Sequence, residues 1–330
     1  MTTPWRLWVA GARPRTFPAA IVPVAVGTAV GYASSGHLTV TTAAGAERSS
    51  TGTVGMLVHQ LNWGHAVCAL IVALFIQIGT NYVNDYADGV RGTDEARVGP
   101  VRLVAGGLAS VRSVKMAALI SFGIAALAGL VLAATVSWWL VPLGFVCGVA
   151  GWAYTGGPKP YGYLGLGELF VFVFFGLVAT VGSAYVQHAP FTLVHGATTF
   201  TYTFDWAYPI WAGVPVGLLA VALLEGNNMR DIATDTVAGK RTLAVRMGRR
   251  NSGFFYLFLL VAVAVSIGVL HRWNAWALLG LAALPLAVSP IKVALSDRSG
   301  KDLLPLLGAT ARLQIATGIL LTAGIVVGAT

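Results

Sequence analysis

Several stretches of this chain are too apolar and too long for the interior of a water-soluble domain. Val114–Val136 holds one charge and Gly253–Leu270 none, over about 18 residues or more. At ~1.5 Å rise per residue, helices of that length cross a hydrocarbon layer of ~30 Å. Apolar periodicity places spans at 16–34, 65–87, 114–135, 138–155, 167–187, 207–229, 253–271, 275–295 and 311–329. The expected fold class is all-α: a polytopic membrane protein, with residues 1–330 as a single membrane-embedded domain built as a bundle of about nine transmembrane helices. Only 10% of the residues are charged and mean hydropathy is +0.76, which excludes a soluble globule. Residues 34–64, rich in Thr, Ser and Gly, read as an outer loop that is partly flexible. Cys68 and Cys147 both fall inside spans, so no disulfide framework or thiolate metal site is expected.

A net charge of +9 suggests nucleic acid only until the basic residues are located. With the N-terminus inside, nineteen of the 21 lysines and arginines fall in inner segments; only Arg48 and Arg272 lie outside. That asymmetry predicts a cell-membrane protein with a cytoplasmic N-terminus and an external C-terminus, and no nucleic-acid partner. Arg249, Arg250, Arg298 and Lys301 are accounted for by topology alone. Trp138, Trp139, Trp206, Tyr208, Trp211, Trp273 and Trp276 cluster at the outer ends of spans, as interfacial anchors do. Trp5–Val9 reads as an interfacial segment before the first span, with no small-residue cleavage site of a removable leader.

The twelve carboxylates carry the most information, because ten of them fall at or near the inner ends of spans or in inner loops. At the inner end of the second span, Asn81, Asn84, Asp85 and Asp88 occupy helical offsets 0, 3, 4 and 7 and share one face, with Asp94 following. At the inner end of the sixth, Asn227, Asp231 and Asp235 are spaced i, i+4, i+8, with Asn228 beside them. Two acidic stripes at one membrane face repel each other unless cations lie between them or some of the carboxylates are protonated. Hard oxygen donors without His or Cys point to Mg²⁺, which keeps several waters and is completed by substrate phosphates. The candidate metal ligands are Asn84, Asp85, Asp88, Asp94, Asn227, Asp231 and Asp235. Arg91, Arg97 and Arg102 follow the first stripe among glycines, and Gly239-Lys240-Arg241 follows the second; flexible backbone with guanidinium and ammonium groups suits a phosphate. With Asn81 and Asn228, these basic residues are the candidate substrate contacts. Single Asn or Asp residues at helix ends are often caps, but capping does not produce two matched stripes. A third inner element, Tyr154-Thr-Gly-Gly-Pro-Lys159, fits a role toward phosphate or acceptor and equally a structural one. Glu168 and Glu225, costly toward lipid, are expected to face the bundle.

Asn84-Asp85-x-x-Asp88 paired with Asn227-x3-Asp231-x3-Asp235, with Tyr154 and Lys159 between them, resembles the UbiA superfamily of intramembrane aromatic prenyltransferases over essentially the whole chain. The longer stretches Asn84–Val104 and Arg230–Arg246, and the opening Gly11–Pro18, resemble its dihydroxynaphthoate branch, which serves menaquinone (quinone) biosynthesis. Asp94 departs from the usual superfamily pattern, six residues after Asp88 instead of four. The resemblance implies a transferase whose Mg²⁺, held by Asn84, Asp88, Asp231 and Asp235, binds polyprenyl diphosphate, with the lipid tail among helices or membrane lipid. It implies Asp88, Asp235, Tyr154 and Lys159 as the catalytic group. Ionisation of the allylic C–O bond would then be followed by attack of 1,4-dihydroxy-2-naphthoate and loss of CO₂, giving demethylmenaquinone. Another aromatic acceptor, such as 4-hydroxybenzoate, is the alternative. With no inner histidine, any assisting base is a carboxylate, Tyr154, water or released diphosphate. Asp85-x-x-Asp88-Gly also resembles the opening of the CDP-alcohol phosphotransferase signature, but Gly92-Thr93 stand where Ala-Arg is needed. A secondary transporter would hold its carboxylates near the bilayer midplane instead of at the inner ends.

Overall fold

The structure, a computed structural model, describes residues 4–34, 37–42, 47–51, 61–91, 102–156, 160–187, 190–195 and 198–329. Each of the nine expected spans has a helical counterpart. Helix α1 (Trp5–Ala12) and α2 (Pro18–Ala33) form a pair bent by 55°. The bend falls where Pro14 and Pro18 forbid a continuous helix, and Arg13 takes a left-handed backbone at φ 56°. Then follow α3 (Trp63–Arg91), α4 (Val111–Thr135) and α5 (Leu140–Ala153), the last a helix of only 14 residues. The second half comprises α6 (Gly167–Tyr185), α7 (Ala207–Val237), α8 (Leu243–Leu270), α9 (Ala275–Ala294) and α10 (Leu304–Val327). Seven of these helices are long and apolar enough to cross a membrane, eight if the bent pair counts as one. The chain is a multi-pass membrane protein.

The helices sort their residues as lipid exposure demands. Leu127, Phe145, Phe258 and Ile319 are more than 60% exposed around the perimeter, while the interior is enriched in Ala, Gly and Ser. Helix α7 is central: two-thirds of its most apolar window is buried, against 28–44% in the other long helices. It owes this position to small residues. Helix α6 passes through a π-helical stretch at Phe172–Val178, and within it a Cβ on Gly176 would stand 2.5 Å from Gly217 Cα of α7. Only glycine lets the two backbones approach so closely.

Two features depart from expectation. Residues 37–42 and 47–51, inside the segment expected to be a partly flexible loop, form strands β1 (His37–Thr42) and β2 (Glu47–Thr51). They join β3 (Phe191–His195) and β4 (Thr198–Thr203) in one antiparallel sheet of order β2-β1-β4-β3. The all-α body therefore carries a small sheet on the loops that join α2 to α3 and α6 to α7. Its central pair aligns His37 with Thr203 and Thr42 with Thr198, a partnership across some 160 residues that no local pattern in 34–64 announces. Among the outer aromatics, Trp138, Trp139 and Trp206 are exposed as anchors should be, but Tyr208 is buried and stacks on Trp273 at 5.9 Å.

Arg249 also does more than follow topology. Helix α8 kinks at Gly248, and the next guanidinium donates to the carbonyls of Ala294, Ser296 and Arg298 at 2.7–2.8 Å. A cation thereby satisfies the open carbonyls at the end of α9.

Candidate active site

The stripe on α3 is divided among four neighbours, because one face of a helix meets different elements at successive turns. Asn81 faces the N-terminal hairpin: its Nδ2 donates to Ala12 O at 2.9 Å and Thr16 Oγ1 at 3.1 Å. With Gln77, also bonded to Thr16 Oγ1, it pins the α1–α2 bend, a structural role that the sequence did not announce. Asn84 Oδ1 accepts from Thr155 Oγ1 at the end of α5. Both carboxylate oxygens of Asp85 are engaged: they accept the backbone N–H of Leu103 at 2.8 Å and of Val104 at 3.0 Å, holding the 102–109 turn against α3. Asp85, expected as a metal ligand, thus also carries a structural role. Backbone amides pointing inward from a polar loop need an acceptor, and a buried carboxylate is the strongest one.

Asp88 is the hub. Its Oδ1 accepts from Lys240 Nζ at 3.1 Å and from the Tyr163 hydroxyl at 2.5 Å, and its Oδ2 lies 3.5 Å from Arg102 Nη2. Asp88 and Lys240 are buried, 2% and 6% exposed, while Arg102 and Tyr163 are partly buried. Lys240 reaches Asp88 because α7 ends in a left-handed turn. Gly239 has φ 72°, and the Lys240 N–H bonds back to Asp235 O at 2.8 Å, so the chain reverses and brings its ammonium to the end of α3. The ammonium also lies 4.6 Å from the centre of the Tyr163 ring. Tyr163 was not singled out in the sequence; the aromatic run after Pro160 was its only signal.

The stripe on α7 is likewise shared. Asp231 is gripped by its neighbour Arg230 through two parallel bonds of 2.7 Å, both residues being buried. Asp235 is buried one turn further on. Asn227 donates back to Leu223 O at 3.0 Å, and Asn228 to Glu168 Oε1 of α6 at 2.7 Å. Arg241 keeps its side chain exposed, while its backbone N–H donates to Tyr163 O at 2.9 Å. Tyr154 packs edge-on against Tyr161 at 5.5 Å between centroids. The Tyr161 hydroxyl donates to Ala150 O, and burial pushes its pKa well up, so it stays neutral. Arg91 closes α3; Asp94, Arg97 and Lys159 lie outside the described residues.

Among the described residues no three His, Cys, Asp or Glu side chains converge on a metal position. The donor set still suits Mg²⁺, which takes one or two carboxylates with waters and substrate phosphates instead of a closed protein cage. Asp88, Asp231 and Asp235 are buried hard-oxygen donors, and Asp88 and Asp231 are each neutralised by a basic side chain. A cation complexed to an anion could take over that neutralising role while Lys240 and Arg102 turn to the anion.

The profile of the UbiA prenyltransferase family matches residues 50–326. The chain is 43% identical over 300 residues to the 1,4-dihydroxy-2-naphthoate octaprenyltransferase of Mycobacterium tuberculosis, covering 91% of this chain and 90% of the relative. A UbiA homolog from Aeropyrum pernix K1, solved without ligand, is similar with a TM-score of 0.62 over 94% of this chain and 97% of that one, at 14% identity. A homolog from Archaeoglobus fulgidus bound to GPP and Mg²⁺ gives 0.53 over 96% and 99%, also at 14% identity. At that identity the two structures speak for the fold.

Proposed function

The chain belongs to the UbiA prenyltransferase family, and from that premise we propose that it moves a polyprenyl group from polyprenyl diphosphate to 1,4-dihydroxy-2-naphthoate with loss of CO₂, giving demethylmenaquinone. It is a membrane prenyltransferase. The observation that carries the reading is the buried hub at Asp88, where Lys240, Arg102 and Tyr163 gather around one carboxylate at the end of the bundle. A site that brings buried cations and carboxylates together is built for a polyanion that arrives with its own counter-cation. The naphthoate acceptor is supported by the relative from Mycobacterium tuberculosis.

Asn84, Asp88, Asp231 and Asp235 would hold Mg²⁺, whose charge eases departure of the diphosphate. Lys240 and Arg102 bind the phosphate oxygens and stabilise the negative charge that grows as the allylic C–O bond breaks. Tyr163 orients Asp88 through its hydroxyl and Lys240 through its ring. The Lys240–Asp88 ion pair ties the end of α7 to the end of α3 and so brings the two acidic stripes together. The concentration of lysine and arginine in the inner segments supports an N-terminus and site on the cytoplasmic side and an external C-terminus, within one domain of residues 1–330.

Purified protein with Mg²⁺, a series of prenyl diphosphates and acceptor labelled in its carboxylate tests the assignment. One labelled CO₂ should appear per prenyl group transferred, and omitting Mg²⁺ should suppress both. Transfer without labelled CO₂, or preferential use of 4-hydroxybenzoate, would reject the naphthoate acceptor.

A further inference from the structure

Glu168 has a buried oxygen that the fold itself leaves unused. It is 6% exposed at the start of α6; Oε1 accepts from Asn228, and Oε2 has no hydrogen-bond partner. Glu225, on α7 one turn before Asn228, is fully buried, and neither of its oxygens has a partner either. Leaving buried carboxylate oxygens without donors is costly, so such groups mark places where a donor arrives from outside.

The position of Glu168 says which donor. Asn228, Asp231 and Asp235 lie at offsets 0, 3 and 7 and share a face of α7. Asn228, and Glu168 with it, therefore sits about one turn, ~5 Å, deeper in the bundle than Asp231. If the diphosphate lies at the level of Asp88 and Asp231, its allylic carbon, joined directly to the leaving oxygen, falls near Glu168. The aromatic ring that attacks must be at that same level. Tyr154 is close by: a Cβ on Gly167, the residue before Glu168, would stand 3.4 Å from the Tyr154 ring and 3.4 Å from Leu224 Cδ2.

We propose that Glu168 is the acceptor-binding residue: its free Oε2 accepts a hydrogen bond from a ring hydroxyl of the aromatic substrate, with Asn228 fixing the carboxylate and the Tyr154 ring flanking the acceptor. The proposal rests on the prenyl-transfer reading above and deepens it, since it assigns selection for a hydroxylated arene to one side chain. Bonding to a carboxylate also enriches the ring in electron density, which favours attack on an allylic cation.

The test uses the full-length protein in detergent with Mg²⁺, 1,4-dihydroxy-2-naphthoate and its two mono-O-methyl ethers. In the unmodified protein at least one ether should lose about 10- to 100-fold in kcat/KM, the range of a hydrogen bond to a charged group. Glu168→Gln should raise the acceptor KM by a similar factor, leave the KM for prenyl diphosphate within twofold, and largely erase the difference between parent acceptor and that ether. Equal use of the parent and both ethers by the unmodified protein overturns the proposal without any variant having to fold. So does a Glu168→Gln protein in which the acceptor KM is unchanged, both KM values rise together, or the ether penalty persists in full. Failure of the unmodified protein to prenylate any aromatic acceptor would instead count against the functional reading.

Discussion

Asp88 has two roles that one double-mutant cycle separates. Without substrate it is the counter-ion of Lys240 and Arg102, with side chains 3%, 7% and 10% exposed respectively. Asp88→Ala removes the carboxylate and strands both cations in a poorly solvated site, which costs roughly 3–5 kcal/mol. Lys240→Met is milder, about 1–3 kcal/mol, because Asp88 keeps Arg102 and Tyr163 as partners. The double variant should then be more stable than the sum of the two losses implies, with a coupling of at least ~1.5 kcal/mol. A loss of ~2–4 °C per kcal/mol holds for domains of 150–250 residues and less for longer chains, so Asp88→Ala should lower Tm by roughly 5–10 °C. The ten tryptophans report unfolding by intrinsic fluorescence in detergent. Turnover should fall below a tenth in Asp88→Ala, a barrier increase above ~1.4 kcal/mol. Stability effects that add within ~0.5 kcal/mol would refute the buried-pair argument; more than a tenth of the activity remaining would refute the role in turnover.

Asp85→Asn should destabilise by about 2–3 kcal/mol through loss of its charged bonds to Leu103 and Val104, yet leave the Mg²⁺ concentration for half-maximal activity unchanged. Asp235→Asn should raise that concentration instead; the opposite pairing of effects would return Asp85 to the metal. Gly176→Ala should cost ~2 kcal/mol or more, since its Cβ would meet the backbone of Gly217; a Tm within 1 °C of the parent would show that α6 and α7 can part freely. A reporter fused at the C-terminus should be active outside the cytoplasm, and one within Ala238–Asn251 inside; the reverse pattern would overturn the orientation.

Membrane character and the helix inventory were legible in the sequence, because both depend on local chemistry. An apolar run must find lipid, a lysine must stay out of it, and carboxylates at helical spacing must share a face. Legibility ended where one side chain had to choose among partners distant in the chain. Asn81, Asn84, Asp85 and Asp88 look equivalent at offsets 0, 3, 4 and 7. Tertiary structure gives Asn81 to the α1–α2 bend, Asn84 to Thr155, Asp85 to the amides of Leu103 and Val104, and only Asp88 to the cationic hub. Arg249 reads as one more inner-side charge, and folding makes it the clamp on the end of α9. The sheet formed by residues 37–42, 47–51, 191–195 and 198–203 escaped notice for the same reason, since a strand's main partner lies across the chain. Sequence alone determines which groups must leave water and at which helix ends the charged ones gather. Only packing, which brings residues such as Asp88 and Lys240 together from 152 positions apart, decides which carboxylate holds the fold and which stays available for chemistry.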